Sequence, residues 1–189
     1  MIIIAGLGNP GREYQKTPHN IGRIILDDWR NSRGFSDFRL QKKFNSLVSK
    51  NNFENKNIIL ALPETFMNES GKALNLLAKN YKVPTENLWV IHDDSDLPLG
   101  KIKISKNRGS AGHKGVASII KELGTKNFIR FRIGIRPPEI KKIKNLKNFV
   151  LQRFSKKEEE IFKEIIEKTK KAIETSLSEN LEKAMQEIN

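Results

Sequence analysis

At 189 residues the chain has the length of one domain, long enough to bury a core without disulfides or a metal. Its 37% hydrophobic content argues against disorder, the absence of cysteine excludes thiolate chemistry, and no run of about 18 apolar residues proposes a membrane span. Lys and Arg number 35 against 22 Asp and Glu, a formal charge of +13, which favours a polyanionic partner and, with the lack of cysteine, predicts a cytoplasmic protein.

The opening run Ile2-Ile3-Ile4-Ala5 is too short for a secretory core and has no basic residue before it, so Ile2 to Leu7 is predicted to be a buried central strand. Gly6-Leu7-Gly8-Asn9-Pro10-Gly11 then satisfies the G-x-G-x-x-G pattern of dinucleotide sites. That pattern needs a helix to start within the glycines, and Pro10 followed by Glu13 to Pro18 delays it. The glycines instead shape a loop at the carboxyl edge of the sheet, presenting Asn9 and Tyr14 to a cleft. His19 stands at the start of a helix whose apolar spacing (Ile21, Ile24, Ile25, Trp29) runs to Trp29. An imidazole at that edge accepts a proton near neutrality when a carboxylate holds the ring.

Ser46 to Lys50 and Asn57 to Leu62 flank a polar turn and predict an antiparallel hairpin. Phe66-Met67-Asn68-Glu69-Ser70-Gly71 precedes a helix over Ser70 to Tyr81. Local pattern favours Phe66 and Met67 as core and Asn68 or Ser70 as a cap, with lining of a cleft as the alternative. Leu88 to His92 is a buried strand, followed by an acidic loop, His92-Asp93-Asp94-Ser95-Asp96-Leu97-Pro98, at the same edge. A Mg²⁺ site there lacks calcium-loop spacing and a second carboxylate cluster, so no metal is expected. Asp93 is the candidate to orient His19, and the other two carboxylates read as turn residues.

Lys101 to Ser105 alternates as a strand, Gly109 to Gly115 is a flexible loop entering a helix over Gly115 to Leu123, and Phe128 to Ile135 is a further strand. Nearly all the net charge lies in this part of the chain, with 14 basic and 2 acidic residues between Lys101 and Val150. Lys103 and Arg132 fall in predicted strands, where side chains are held in place to grip a phosphate, and Arg108 and Lys114 flank the glycine-rich loop. The run Lys141, Lys142, Lys144 and Lys147 reads equally well as a solvated surface. Pro137 to Asn148 is expected to be a loop. Ser155 and Glu158 form a capping box that opens a long helix over Lys156 to Ser176, and a shorter helix starts at Ser178. These elements predict one α/β domain spanning residues 1–189, a twisted mixed β-sheet flanked by helices, with C-terminal helices.

Four motifs in order, Gly6 to Gly11 with Tyr14, Thr17-Pro18-His19-Asn20-Ile21-Gly22, Thr65 to Gly71 and His92 to Pro98, together with Phe131 to Ile135, resemble the bacterial peptidyl-tRNA hydrolase family over essentially the whole chain. The resemblance implies a monomeric, cofactor-free enzyme that cleaves the ester joining peptide to tRNA. It implies that His19 is the general base, that Asp93 keeps it basic and oriented, and that Asn9 reads the blocked amino group. Tyr14, Phe66, Met67 and Asn68 would hold the tRNA 3′ end and peptide, and Lys103 and Arg132 the 5′ phosphate. Two positions depart from the family's pattern. Lys114 stands where an asparagine is usual, predicting a phosphate contact in place of an amide one, and Ser105 stands where a further basic residue is usual. Two other readings follow from the same residues, a non-catalytic RNA-binding protein on this scaffold and a nucleotide-cofactor enzyme built on the glycine loop.

Overall fold

Every residue of β1 (Ile2–Gly6) is buried, as expected of an apolar run covered on both faces. The computed structural model describes residues 1–140 and 143–189, so Lys141 and Lys142 of the basic run lie outside the described residues. After β1 come α1 (Ile21–Ser32), β2 (Arg39–Gln41), β3 (Ser46–Phe53), β4 (Lys56–Pro63) and α2 (Ser70–Tyr81). The chain continues through β5 (Leu88–Pro98), β6 (Ile102–Lys106), α3 (Lys114–Leu123) and β7 (Ile129–Arg136) to α4 (Leu146–Leu151), α5 (Lys156–Ser178) and α6 (Leu181–Ile188).

The strands form one mixed sheet in the order β2-β3-β4-β1-β5-β7-β6. β4, β1, β5 and β7 are parallel, and the antiparallel pairs are β2 with β3, β3 with β4, and β6 with β7. One face carries Ile4, Ile91, Phe131 and Ile133 against Ile25 and Trp29 of α1 and Phe162, Ile165 and Ile173 of α5. The opposite face carries Ile3, Ala5 and Val90 against Leu74 and Leu77 of α2 and Val116 and Ile119 of α3.

The order places a switch point beside β1. The chain leaves β1 through α1 on one face to build the β2–β4 side, then returns through α2 on the other face to β5, which lies on the far side of β1. In open α/β sheets such a point leaves a crevice beyond the carboxyl ends of the strands. Gly22 lets α1 lie directly on that edge. A Cβ at Gly22 would stand 2.3 Å from the Ile91 carbonyl oxygen, so any larger residue would push the helix start, and His19 with it, off the sheet.

Three expectations need correction. The acidic stretch after His92 is a continuation of β5 rather than a loop, since β7 pairs with it through Asp94 and again at Pro98 beyond an irregularity. The stretch expected to be a loop to Asn148 contains the start of α4, capped by the Asn145 side chain, which accepts from the Asn148 N–H. The last helix begins at Leu181 rather than Ser178, because α5 runs on to Ser178 and Asn180 caps the next turn by accepting from the Lys183 N–H. The capping box at Ser155 is present in both directions. No helix among the described residues is long and apolar enough to cross a membrane.

Candidate active site

A cleft of about 550 Å³ opens over the carboxyl edge at the switch point. Asn9 and Tyr14 from the loop after β1, His19, Phe66, Met67 and Asn68 from the turn before α2, Asp93 and Lys114 all line it. Eight of the residues singled out from sequence therefore meet in one place. Lys103 and Arg132 do not line it. They lie opposite one another in the β6–β7 register, on the neighbouring part of the sheet.

His19 sits in a single helical turn, Pro18 to Asn20, that begins with proline and leads directly into α1. Its Nδ1 lies 2.9 Å from Asp93 Oδ1, and Asp93 is almost fully buried on β5, where it pairs with Ile133 of β7. Burial acts to raise the Asp93 carboxyl, but the imidazoles of His19 and His113 outweigh it and hold the group well below the usual carboxylate range. Asp93 is therefore an anion throughout the neutral range, and Nδ1 of His19 is the donor. That leaves the Nε2 lone pair of a cleft-lining ring as the free basic site.

Asn9 is fixed on three sides. Its backbone N–H donates to Asn20 Oδ1, its carbonyl accepts from Asn20 Nδ2, both at 2.9 Å, and its side-chain oxygen accepts from the Met67 N–H at 2.8 Å. Because a backbone N–H occupies the amide oxygen, the NH₂ end is the one left for a ligand. Asn20, buried and with its side chain wholly given to this clamp, has a structural part that the sequence did not disclose.

Met67 is buried in the core, as local pattern favours, whereas Phe66 is 58% exposed at the rim of the cleft, which overturns its reading as core. Neither Asn68 nor Ser70 caps α2. The N-cap position is Glu69, without a side-chain bond, and the Ser70 hydroxyl turns back to the Met67 carbonyl. Asn68 is thereby free to face the cleft.

His113 was not among the residues assigned a role from sequence. It is the N-cap of α3, its Nδ1 accepting from the Val116 N–H at 3.2 Å, while its Nε2 lies 2.9 Å from the same Asp93 Oδ1 that His19 uses. The signal was available in principle, since the glycine-rich loop must enter its helix at the carboxyl edge. His19, Asp93 and His113 place one potential ligand atom each within 4.8 Å of one another. Both imidazoles, however, direct an N–H at one oxygen, so the three atoms meet as hydrogen-bond partners and a cation would have to displace both protons.

Beside this centre, Arg132 Nε donates to Asp94 Oδ2 at 2.6 Å, and Asp94 Oδ1 accepts from the Asp96 N–H. Arg130, buried one row away on β7, donates to the Gly109 carbonyl and so ties down the glycine-rich loop. Burial, and then the neighbouring charge of Arg132, draw the Arg130 guanidinium down to about 10. The α4 residues Leu146, Val150 and Leu151 add to the apolar lining of the cleft, with Phe66 and Met67.

Residues 3–189 match the family model described as peptidyl-tRNA hydrolase. The peptidyl-tRNA hydrolase of Thermoanaerobacter sp. (strain X514) is 44% identical over 189 residues, covering 100% of both chains. That of Bacillus subtilis (strain 168) is 40% identical over 191 residues, covering 100% of this chain and 98% of its own. The crystal structure of peptidyl-tRNA hydrolase from Acinetobacter baumannii superposes with a TM-score of 0.92 at 30% identity, over 100% of this chain and 94% of that one. A match along almost the entire length, in sequence and in fold, means that the chain belongs to the peptidyl-tRNA hydrolase family.

Proposed function

We propose that this chain, whose activity is the hydrolysis of peptidyl-tRNA, uses His19 as the general base, a reading carried by the Asp93-bound imidazole that lines the open cleft. Nε2 of His19 takes a proton from water as that water attacks the ester carbonyl, and Asp93 stabilises the imidazolium that forms. The collapse of the tetrahedral intermediate breaks the bond to the ribose oxygen of the tRNA, which leaves as a hydroxyl by taking the proton held on the His19 imidazolium, so that the neutral base is restored. Neither step asks for a thiol or a cofactor.

The clamped amide of Asn9 supports a role in telling blocked from free amino groups. Its outward NH₂ can donate to the carbonyl of a peptide or N-acyl group, whereas a free α-ammonium is itself a donor and would meet a donor. Tyr14, Phe66, Met67 and Asn68 are suited to the 3′ end and peptide, since together they offer an exposed ring, apolar surface and an amide. Lys103 and Arg132, paired across two strands, are suited to the 5′ phosphate, with Arg132 held by its Nε edge so that its terminal nitrogens remain for a ligand. All of these side chains come from one chain, which supports action as a monomer, and a substrate generated in translation supports work in the cytoplasm.

The test is incubation with an N-acetylated aminoacyl-tRNA and with its unblocked form. The expected result is release from the first and little from the second, with His19→Ala lowering the rate by at least about 10²–10⁴-fold while tRNA binding survives. Binding of tRNA without ester cleavage by the parent would leave an RNA-binding protein, and His19→Ala at the parent rate would overturn the general-base reading.

A further inference from the structure

One carboxylate oxygen, Asp93 Oδ1, receives two imidazole N–H groups at the same distance of 2.9 Å, one from His19 and one from His113. The tautomer of His113 is set from its other side. Its Nδ1 is occupied as acceptor by the Val116 N–H, so the proton of the neutral ring is on Nε2 and points at Asp93. The two rings stand 5.1 Å apart, centroid to centroid, and the edge of His92 packs on His113 at 4.7 Å. His113 is thus fixed by a helix start, a ring contact and a hydrogen bond, at the wall of the cleft beside His19.

We infer that His113 is a positioning residue that shares the Asp93 carboxylate with His19 and so limits how firmly that carboxylate holds a proton on His19. The inference rests on the general-base reading of His19. A carboxylate that accepts a second N–H has part of its charge already satisfied, so it stabilises an imidazolium less than it would alone. A general base does best when it is strong enough to take the proton from water but still unprotonated at the working pH. Asp93 as sole partner would favour the first at the expense of the second, and the N–H of His113 restores the balance. It also helps to hold the carboxylate in place, since it bonds the same oxygen as His19 from a neighbouring direction. The other charged or titratable groups facing this centre are His92 and Asp94 on β5, Arg130 and Arg132 on β7, Lys114 on α3, Lys147 on α4 and Tyr14. The variants below leave all of them in place.

The two bonds of His113 can be removed separately. An asparagine at 113 supplies a short acceptor for the Val116 N–H but does not reach Asp93, and a serine does the same, whereas a glutamine can carry an amide N–H to about the position of Nε2 and gives up the cap. The measurement is the pH dependence of kcat/KM on an N-blocked aminoacyl-tRNA, together with the NMR titration of the His19 ring in protein without substrate and folding followed by far-UV circular dichroism. For His113→Asn and His113→Ser, the acid limb and the His19 titration are expected to move up by about 0.5–1 pH unit, which is about 3–10-fold slower turnover on that limb relative to the plateau. In His113→Gln both are expected to return towards the parent midpoint. The inference is overturned if the asparagine and serine variants titrate as the parent does, or if all three shift alike, which would assign the effect to the loop and helix start. Failure of the general-base reading shows separately, as His19→Ala turning over at the parent rate, and the NMR titration of His19 then still reports on the shared carboxylate.

Discussion

His92 shows how a single buried ring next to the site ties stability to pH. Its Nδ1 donates to the Asp93 carbonyl at 2.6 Å, which leaves Nε2 as a lone pair without a hydrogen-bond partner in a nearly inaccessible position. Protonation would place a charge and an unmatched N–H there. Burial, and next the neighbouring His113, hold this imidazole well below the ordinary histidine value. The folded protein thus binds this proton less readily than the unfolded chain does. The sign follows from that difference. Stability is complete above the unfolded value of about 6.5 and declines as the pH falls below it. Asp93 acts in the same direction at lower pH, since its carboxyl is also held low and its contribution fades only below the unfolded carboxylate value. Between pH 7.5 and 5.5 the loss of the His92 contribution is expected to lower Tm by roughly a few degrees for a chain of this size. His92→Asn retains an amide donor near the Nδ1 position for the Asp93 carbonyl and has nothing to titrate, so its Tm is expected to fall less over the same interval. Equal falls in parent and variant would show that His92 is not the source.

At the scale of elements, the approach to the cleft depends on how α5 begins. Ser155 and Glu158 cap that helix reciprocally, the preceding Phe154 N–H donates to the Lys16 carbonyl, and Lys16 pairs with Glu159 at 3.6 Å, so the helix start is joined to the loop that carries Tyr14 and His19. The ion pair is exposed and adds little, so the cap and the backbone bond carry the connection. Ser155→Ala is expected to cost about 1 kcal/mol, read as a Tm lower by about 2–4 °C, with kcat on an N-blocked aminoacyl-tRNA unchanged. A large drop in kcat would mean that the helix start also sets the position of His19. This capping box was legible in sequence because both partners lie within four residues. The same holds for β1, β4 and the opening Leu88 to Ile91 of β5, whose burial leaves a hydrophobic run, and for β7, whose apolar residues alternate with arginine and glycine. The meeting of His19 with Asp93 was anticipated from the carboxyl-edge position of both. What escaped sequence depends on contacts distant along the chain. The extension of β5 through its acidic residues is supported by β7 and by Arg132 on Asp94, 38 residues away, and no local signal marks it. The three-residue β2 is exposed at Arg39 and Leu40, only partly covered at Gln41, and has no alternation long enough to detect. His113 reads locally as one more residue of a glycine-rich loop, and only the closing of the sheet edge brings it within reach of a carboxylate 20 residues before it.

Over the whole molecule, charge and topology converge on the same edge. The switch point opens a cleft between faces packed by different helices, and the basic part of the sequence supplies Lys114 and Lys147 to its lining and Lys103 and Arg132 to the adjoining strands. A nucleic acid gripped by such a surface releases counterions, so its affinity should fall with salt in proportion to the number of phosphates neutralised. With those four cations each meeting one phosphate, the slope of log affinity against log salt concentration is expected to be roughly −3 to −4. Lys114 tests whether the count is real. It stands exposed at the first position of α3, where a positive charge opposes the helix dipole, so its charge does nothing for the helix itself. In Lys114→Asn the slope, measured by filter binding of tRNA between 50 and 200 mM salt (roughly the range over which such contacts are lost), should become shallower by about 0.7–0.9, with weaker binding at low salt. An unchanged slope would remove Lys114 from the phosphate contacts. Unchanged slopes on replacing Lys103 and Lys147 as well would reduce the basic stretch to a solvated surface and leave the cleft to recognise its substrate through the 3′ end and peptide alone.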